Sequence, residues 1–451
     1  MNSFFMSKNH FMQTALPKGN KKLMNAWAFY DWANSVYTLV IASSIFPLYY
    51  GALFKIKGSH YIDVFGTSIK SSALISLVTA VAFLVVAIIS PLLSGIADYA
   101  GNKKSIMQFF CYLGAFSCIG LYWFELENIY SSLTCYFFGL IGYWGSIVFY
   151  NSYLPDVAFP EDQDKLSARG YSMGYIGSVV LLLFNLAMVL KSEFFGFTGT
   201  EGEMAMKAMR FSFVSVGVWW IIFAQYTFYY LPKGNTGNKV TKAVFFNGFK
   251  ELKKVWNLLG ENIKLKKYLY SFFVYSMAVQ TFMLVATYFG EQEIKWGSDK
   301  EKTVGLITSI LLIQLVAVLG AILTSRAAVK FGNVPTLIFI NCIWLVLCIT
   351  AFFVETPIEF YVEASFVGLV MGGIQSLSRS TYSKFLPETK DTASFFSFFD
   401  VSEKVGIVIG MGIFAVIDQI TGSIRSAVIF LAIFFIAGVL LLFRVPKKNI
   451  V

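Results

Sequence analysis

The sequence predicts an all-α integral membrane protein whose twelve transmembrane helices form two pseudo-symmetric six-helix bundles. Three observations predict this fold. Of the 451 residues, 57% are hydrophobic and 14% are charged, whereas soluble domains carry about a quarter charged residues. The chain contains twelve apolar stretches of about 20 residues, the length that crosses a bilayer. Short motifs also recur at a nearly constant offset between the two halves, as in duplicated transporter folds.

The apolar stretches divide the chain into five regions. Six stretches lie on either side of a polar, lysine-rich segment. The predicted regions are a tail at 1–24, a first bundle at 25–231, a linker at 232–267, a second bundle at 268–443 and a tail at 444–451. Apolar linker residues recur at spacings of three and four, at Phe245, Phe249, Leu252, Trp256 and Leu259. This spacing predicts an amphipathic helix on the membrane surface, with a partner-binding helix as the alternative.

Positive charge predicts the orientation in the membrane. With both termini in the cytoplasm, the cytoplasmic segments carry 25 of the 36 Lys and Arg residues and the outer loops carry 10. Cytoplasmic loops retain basic residues, so this bias favours cytoplasmic termini. The net charge of +10 is explained by topology and by contact with anionic lipids, and does not indicate nucleic-acid binding.

Enzyme chemistry and metal binding find little support in the sequence. All five cysteines lie in apolar stretches, and the two histidines are far apart along the chain. No metal site or cofactor is therefore predicted. No GxxxxGK[ST] loop for ATP occurs, so transport would draw energy from a gradient or from the solute. The acid-rich segment 156–164, the nearest approach to an active site, is interpreted as a solvated loop.

Charged residues inside the predicted spans are functional candidates, since a charge in lipid is costly. Such residues include Asp31 in the first span and Asp400, Glu403 and Lys404 in the eleventh. Asp400 and Lys404 stand four residues apart, which favours a structural ion pair on one helix. Asp31 and Glu403 are the candidates for carrying a coupling proton. For Asp31, a purely structural interhelical salt bridge is an equally weighted alternative.

The candidate solute-binding residues are polar side chains predicted to face a cavity between the bundles. Tyr30, Asp31 and Asn34 lie on neighbouring faces of the first helix. Gln375 and Arg379 lie one turn apart in the tenth span. Arg379 suits a carboxylate or phosphate ligand, or an acid on another helix such as Asp31 or Asp400; a structural or snorkelling arginine is the alternative. The full predicted set is Tyr30, Asp31, Asn34, Tyr275, Gln280, Gln375 and Arg379.

A conformational latch is predicted in the loop after the second span. Gly95 allows close approach of another helix, and Asp98 can face the positive N-terminal end of that helix. Two lysines further on are expected to hold the loop at the inner membrane surface. The predicted latch residues are Gly95, Asp98, Gly101, Lys103 and Lys104. The corresponding loop of the second half lacks the acid and the basic pair, so the first half is expected to carry most of the latch.

Two repeated features support duplication of a six-helix unit. Leu154-Pro155-Asp156 follows the fourth span, and Leu386-Pro387-Glu388 follows the tenth, 232 residues later. Gly174 and Gly406 occupy matching places in the fifth and eleventh spans with the same offset.

Several motifs resemble a known family. The loop at 95–104 resembles the signature loop of the major facilitator superfamily. The segments WAFYDWANS at 27–35 and GGIQSLSRS at 372–380 resemble the autophagy-related vacuolar effluxers and their bacterial relatives. This resemblance covers effectively the whole chain and implies a twelve-helix solute transporter that works by alternating access. Many relatives carry an acid in the seventh span, whereas the stretch from Tyr275 to Gln280 has none, which argues against charge-based recognition on that helix.

The sequence and the resemblance together predict a secondary active transporter for a small polar organic solute. The fungal relatives imply amino acid export, and the bacterial relatives imply a multi-pass protein of the inner membrane. The expected partners are the solute, protons and membrane lipids, and a monomer is expected. The alternatives are a non-transporting receptor or scaffold and a lipid-handling membrane protein on the same fold.

Overall fold

The computed structural model describes residues 16–234 and 244–446. Within these ranges, 12 helical segments are long and apolar enough to cross a membrane, which confirms the predicted membrane fold. The first segment consists of α1 (Lys21–Asn34) and α2 (Ile45–Lys57), joined by a π-helical turn at Tyr37–Ala42. The tail at 1–24 and the tail at 444–451 lie partly outside the described residues.

The other helices follow in chain order. Those of the first half are α3 (Ser71–Ala100), α4 (Lys103–Gly120), α5 (Ile129–Ser152), the short α6 (Leu154–Val157), α7 (Pro160–Leu190) and α8 (Glu201–Tyr230). Those of the linker and second half are α9 (Val244–Glu261), α10 (Ile263–Glu293), α11 (Asp299–Phe331), α12 (Asn333–Thr350), α13 (Pro357–Phe385), α14 (Thr392–Thr421) and α15 (Ile424–Phe443). Short 3-10 turns follow α4, α7 and α12. Helix α10 begins inside the segment predicted as linker.

A β-hairpin between α2 and α3 departs from the predicted all-helical chain. Strand β1 (Tyr61–Val64) pairs antiparallel with β2 (Thr67–Lys70). The two turn residues, Phe65 and Gly66, have φ of 52° and 75°, as a two-residue hairpin turn requires. The segment shows only a short alternating pattern in the sequence, so analysis of apolar stretches passed over it.

Each bundle has its own hydrophobic core. The first contains Trp27, Tyr37 and Trp220, which are fully buried. The second contains Trp344, whose ring stacks on Phe435 with centroids 5.7 Å apart. Separate cores allow each bundle to move as a rigid unit, because close-packed interiors resist deformation.

The two bundles repeat the same helix packing. Helix α1 packs against α7 and α8, and α10 packs against α14 and α15 in the same way. The repeated glycines make equivalent contacts. A Cβ on Gly174 would lie 3.2 Å from the carbonyl oxygen of Asp31 on α1, and a Cβ on Gly406 would lie 3.5 Å from that of Phe273 on α10. The absence of a side chain therefore permits close helix approach at matching places.

The interface between the bundles is formed by α3, α5 and α7 of the first and α11, α13 and α14 of the second. We define the linker end as the end where α3, α5 and α13 finish and α4, α7 and α14 begin. The sequence predicts that this end faces the cytoplasm.

The linker helix α9 packs against the protein and contacts both bundles, α3 in the first and α14 in the second. Its Val255 and Leu259 are buried, and the Lys254 ammonium lies 2.7 Å from Oδ2 of Asp391. Helix α9 thus spans the two bundles through Val255 and Leu259, while Trp256 of the predicted apolar face is 61% exposed. Its placement on the membrane surface stays a prediction. The side chains of Phe245 and Phe249 lie outside the described residues.

The contact between Lys254 and Asp391 holds over the physiological pH range. Because the ammonium donates a hydrogen bond to Asp391, the pKa of Lys254 is raised above its ordinary value. A raised lysine pKa means that the contact contributes below that pKa and is lost only as the pH rises through it.

Candidate functional site

The carboxylate of Asp31 on α1 meets the guanidinium of Arg379 on α13 between the two bundles. Oδ2 of Asp31 lies 3.4 Å from both Nη1 and Nη2 of Arg379. Asp31 is 4% exposed and Arg379 is 2% exposed, so the alternative of a snorkelling arginine is wrong. We call these two residues the gate pair. An unpaired charge buried at this depth is costly, and in this pair each charge compensates the other.

Three further residues of the first bundle fix the gate pair. The Tyr150 hydroxyl donates to Oδ2 of Asp31 at 2.7 Å. The Arg379 guanidinium donates to Oδ1 of Asn151 at 3.1 Å, and to Oγ and the backbone oxygen of Ser167 at 2.9 and 3.0 Å. Arg379 is thus a side chain of the second bundle that inserts into a socket of acceptors on the first. The contacts of Arg379 with Asp31, Asn151 and Ser167 all join the two bundles.

Aromatic rings form the walls of this socket. The Arg379 guanidinium carbon lies 4.2 Å from the ring centroid of Tyr171 and 4.9 Å from that of Trp27, within cation–π range. Trp27 is itself held in place, because its indole N–H donates to the backbone oxygen of Tyr150 at 2.9 Å. The motif at 27–35 therefore supplies both the carboxylate of the gate pair and one wall of its socket.

Half-buried polar residues lie further into the membrane than the gate pair. The Tyr175 hydroxyl of the first bundle donates to Oε1 of Gln375 on the second at 2.7 Å. Within the second bundle, the Gln280 amide donates to Oε1 of Glu403 at 2.8 Å. Gln280, Gln375 and Glu403 are each more exposed than the gate pair. The stretch of α10 from Tyr275 to Gln280, which has no acid, thus meets the Glu403 carboxylate of α14.

The structure confirms the ion pair predicted between Asp400 and Lys404 on α14. The Lys404 ammonium also lies 4.2 Å from the ring centroid of Trp144 on α5 of the opposite bundle. Lys404 is therefore compensated within its own helix, and it contacts the opposite bundle through the aromatic face of Trp144. Among residues 16–234 and 244–446, no group of three or more His, Cys, Asp or Glu side chains could hold a metal ion.

Tyr30, Asn34 and Tyr275 are not brought into contact with the gate pair. The ring of Tyr30 packs in the core of the first bundle, 5.1 Å from that of Tyr150. Asn34 is fully buried and its Oδ1 accepts from Ser35. The Tyr275 hydroxyl lies 2.7 Å from Oγ of Ser378 within the second bundle. In this structure these three side chains support the helices that carry the gate pair and Gln375.

Asp98 joins the first bundle to the start of α14 in the second. Its carboxylate accepts from the backbone N–H of Ala393 at 3.2 Å and of Ser394 at 2.7 Å. This is the geometry of an N-cap supplied by another helix, where the helix dipole favours an anion. Lys103 contacts Asp156 and donates to Oγ1 of Thr392 at 2.7 Å.

The remaining latch residues act within the first bundle. Gly101 ends α3 with φ of 68°, a conformation that glycine adopts without strain. Gly95 is buried on α3. Lys104 differs from the prediction of a lysine at the inner surface. It is buried, and its ammonium donates to the backbone oxygen of Leu231 at 2.8 Å, because the end of α8 offers an unsatisfied carbonyl there.

A second set of contacts at the linker end corrects the expectation of a solvated loop at Asp164. Asp164, predicted in a solvated loop, is buried on α7 and contacts Lys384 of the second bundle. Its Oδ1 also accepts from Nδ2 of Asn333 at 2.8 Å. The latch is therefore two-sided. On this side the first bundle supplies the acid from α7, and the second bundle supplies the cation and the amide.

Sequence analysis missed a polar stripe on α7 that could have been found by its spacing. Asp164, Ser167, Tyr171 and Tyr175 follow one another at intervals of three, four and four, which places them on one helix face. All four contact the second bundle. Asp164 contacts Lys384, and Ser167 contacts Ser376. Tyr171 contacts Arg379, and Tyr175 contacts Gln375. Ser167, Tyr171 and Tyr175 carry no charge and were not among the predicted site residues.

Loss of the Asp98 cap is expected to open the linker end. Substituting Asp98 by alanine leaves two N–H groups of α14 without an acceptor, which costs about 1 kcal/mol, or about fivefold in the ratio of closed to open protein. The measurement is the reaction rate of a thiol at the buried interface position Ser376, introduced as Ser376→Cys with the exposed native thiol removed by Cys342→Ser. A membrane-impermeant maleimide should react about fivefold faster in Asp98→Ala.

Asp63→Ala, in the exposed hairpin, is the matched control and should react at the parent rate. The assignment of Asp98 is wrong if its alanine variant behaves like this control. Asp98→Asn should give an intermediate rate, because an asparagine still accepts from a backbone N–H.

The comparison with known proteins places the fold and the site in a family. A family model described as vacuole effluxer Atg22 like matches residues 19–449. The chain belongs to this family. The Atg22-like chain is 29% identical to the uncharacterized MFS-type transporter YxiO of Bacillus subtilis, over 95% of this chain and 96% of YxiO. It is 23% identical to autophagy-related protein 22 of Kluyveromyces lactis, over 94% and 93% of the two chains.

Solved structures agree with this assignment. The Atg22-like chain superimposes on the proton:xylose symporter XylE with a TM-score of 0.71 and 14% identity, over 94% of this chain and 95% of XylE. It superimposes on FucP in the outward conformation with a TM-score of 0.65 and 14% identity, over 95% and 99%. At this identity the likeness concerns the fold alone. Family and fold together make the Atg22-like protein a major facilitator superfamily transporter.

Proposed function

We propose that this protein is a secondary active exporter of small zwitterionic solutes, with amino acids as the solute class. The gate pair carries the proposal. It provides one anion and one cation on opposite bundles, at the point where the solute path is closed. A solute with one carboxylate and one ammonium group has the complementary charges.

The physical argument rests on what happens when the linker end opens. Separation of the bundles leaves Asp31 with Tyr150 and removes Arg379 from Asn151 and Ser167. Two charges in a site of low dielectric then need new partners, since an uncompensated buried charge costs several kcal/mol. A zwitterion compensates both at once, with its carboxylate on Arg379 and its ammonium on Asp31. Solute binding and bundle separation are thereby linked.

The half-buried residues deeper in the membrane supply the rest of the proposed site. Gln375 lies one turn from Arg379 on α13 and can bind the polar part of a solute side chain. Gln280 and Glu403 form the opposite wall. Glu403 is the proposed proton carrier, because it is a carboxylate whose hydrogen-bond partner in the structure is the neutral Gln280. Asp31 is the second candidate, since loss of Arg379 on opening favours its neutral form.

Rocking of the two bundles about this site gives alternating access. The contacts of Asp98, Lys103 and Asp164 close the linker end, as in an outward-facing transporter. We place this end in the cytoplasm of a bacterial cell, in agreement with the distribution of positive charge, and the protein in the inner membrane. Export as the direction follows the resemblance to the vacuolar effluxers.

Counterflow in proteoliposomes tests the proposed solute class. Labelled neutral, acidic and basic amino acids are compared with analogues that lack either the carboxylate or the amine. Zwitterions should exchange. The exchange rate of the single-charge analogues should be lower by a factor of about ten or more, because each missing charge removes a charged hydrogen bond. Exchange of the amine-free or carboxylate-free analogues at the rate of the zwitterions would exclude the zwitterion model. No exchange of any solute would favour the receptor or scaffold alternative.

An imposed pH gradient tests coupling in the same vesicles. Wild-type protein should concentrate solute when the gradient is applied. Glu403→Gln should retain counterflow and lose this response, because an amide cannot carry a proton. Glu193→Gln, at an exposed turn after α7, is the matched control and should respond like the wild type. Solute accumulation that ignores the gradient in wild-type protein removes proton coupling and leaves the solute class untouched.

A further inference from the structure

A groove lies on the outer surface of the first bundle, away from the interface with the second. It has a volume of about 330 Å³ and is formed where α1, α7 and α8 meet. Its lining residues are Asn25, Phe29, Arg169, Met173 and Tyr226. Three of these side chains are apolar or aromatic and one is a cation, so the groove combines an oily wall with a positive charge.

Arg169 lies at the boundary between the membrane core and its polar surface. The next 21 residues of α7, from 170 to 190, contain no charged side chain. At 1.5 Å per residue this stretch is about 31 Å long, which matches the hydrocarbon thickness of a bilayer. Arg169 immediately precedes the stretch on its linker side. Its guanidinium therefore stands at the depth of lipid phosphate groups.

Among the residues that the structure describes, no carboxylate compensates the charge of Arg169. Within residues 16–234 and 244–446, the polar contact of its guanidinium is with the neutral amide oxygen of Asn25, and no carboxylate there lies within ion-pair distance. An arginine has five N–H donors and suits a phosphate, which it can bind through two parallel hydrogen bonds. Lys165, one turn earlier on α7, is also exposed and adds positive charge on the same side.

The walls of the groove suit an acyl chain. The rings of Phe29 and Tyr226 meet edge to face with centroids 5.2 Å apart. Met173 lies one turn from Arg169 on the membrane side of α7. Exposed tyrosines at the end of α8, Tyr226 and Tyr229, are typical of the interfacial belt where headgroups meet hydrocarbon. A soluble anion has no apolar part that could pack against these walls.

We propose that this groove binds an anionic phospholipid of the inner leaflet, with its phosphate on Arg169 and one acyl chain along Phe29, Met173 and Tyr226. Basic pockets of this kind on the cytoplasmic side of membrane proteins bind acidic headgroups. The lipid bridges α1 and α7, the helices that carry Asp31 and Ser167. Its occupancy therefore stabilises the packing of the helices that hold the gate pair.

Native mass spectrometry and thermal unfolding of the full-length protein test the site. Phosphatidylglycerol and phosphatidylcholine with the same acyl chains are titrated into detergent-solubilised protein. Wild type should retain phosphatidylglycerol preferentially, and Arg169→Gln should lower its retention about fivefold. Arg326→Gln, at an exposed arginine on α11 of the second bundle, is the matched control and should retain the lipid like wild type. The melting temperature of Arg169→Gln without added lipid should equal that of wild type, which separates lost binding from misfolding.

The outcomes distinguish the source of the phosphate. Inorganic phosphate should not raise the melting temperature, and if it stabilises wild type as much as phosphatidylglycerol does, the groove is a site for a soluble anion. Undiminished phosphatidylglycerol retention by Arg169→Gln overturns the proposal, as does an equal loss in Arg326→Gln. None of these readouts depends on transport, so the proposed function and this site are tested separately.

Discussion

Arg379→Gln should abolish counterflow and shift the protein towards a form open at the linker end. The substitution leaves the Asp31 carboxylate buried with Tyr150 as its remaining partner, and removes the donors to Asn151 and Ser167. Breaking a buried ion pair by removing one member costs about 3–5 kcal/mol. Because this pair joins the two bundles, most of that loss falls on the closed arrangement and little on the folding of either bundle.

The thiol-reactivity measurement at Ser376 should therefore show an increase of roughly 100-fold or more for Arg379→Gln. A double variant provides the decisive comparison. Asp31→Asn in the Arg379→Gln background removes the uncompensated charge, so it should recover a large part of the closed form while transport stays absent. The coupling energy between the two positions follows from the four-protein cycle.

Arg326→Gln is the control for loss of an arginine as such and should behave like wild type in both measurements. Wild-type flux in Arg379→Gln would show that the gate pair does not bind solute. A double variant no more closed than the single one would show that the pair does not close the linker end.

Gly170→Ala should impair closure although it adds only one methyl group. A Cβ at Gly170 would lie 2.5 Å from Oδ2 of Asp31, 3.0 Å from the Tyr150 hydroxyl and 3.1 Å from Nη2 of Arg379. The methyl group would occupy the space between α7 and the gate pair, and Asp31 is too short to move aside while it keeps both partners. Overpacking of this kind costs about 1–3 kcal/mol. The ratio of closed to open protein should fall by roughly 5- to 150-fold.

Thiol reactivity at Ser376 and the rate of counterflow measure this effect. The matched control is Gly412→Ala on α14, where an added Cβ meets no atom within 4 Å. Both variants raise helix propensity equally, so any difference between them reports the contact with the gate pair. A Gly170→Ala protein that transports at the control rate contradicts the close packing described for this site.

Sequence patterns identified the gate residues but not their pairing. Asp31 stood out because an acid inside an apolar stretch is costly, and Arg379 because it follows a polar run in the tenth span. Two partners were open for Arg379, Asp31 and Asp400. In the structure Arg379 pairs with Asp31, because Asp400 is already neutralised by Lys404 one turn away on α14. Local spacing therefore settled the nearer pair, while the interhelical pair depended on how α1 and α13 approach each other.

Asp164 and the linker helix show what composition and periodicity leave open. Asp164 belongs to an acid-rich segment, and such composition is typical of solvated loops. It is buried because Lys384 and Asn333 approach from the other bundle. The amphipathic pattern of α9 specifies that one face is buried but not by what. Val255 and Leu259 find protein partners on the bundles, a choice that depends on surfaces far away in the sequence.

The sequence by itself determined that this protein lies in a membrane, how many helices cross it, that the two halves are duplicated, and which few ionisable groups lie inside the spans. These properties follow from composition and from periodicity within single helices, which neighbouring residues dictate. The tertiary structure alone decided that Arg379 enters a socket on the opposite bundle, that α7 contributes a full polar stripe to the interface, and that Tyr30 and Tyr275 turn into their own cores. Such contacts join residues hundreds of positions apart, and their geometry is fixed only when the two packed bundles meet.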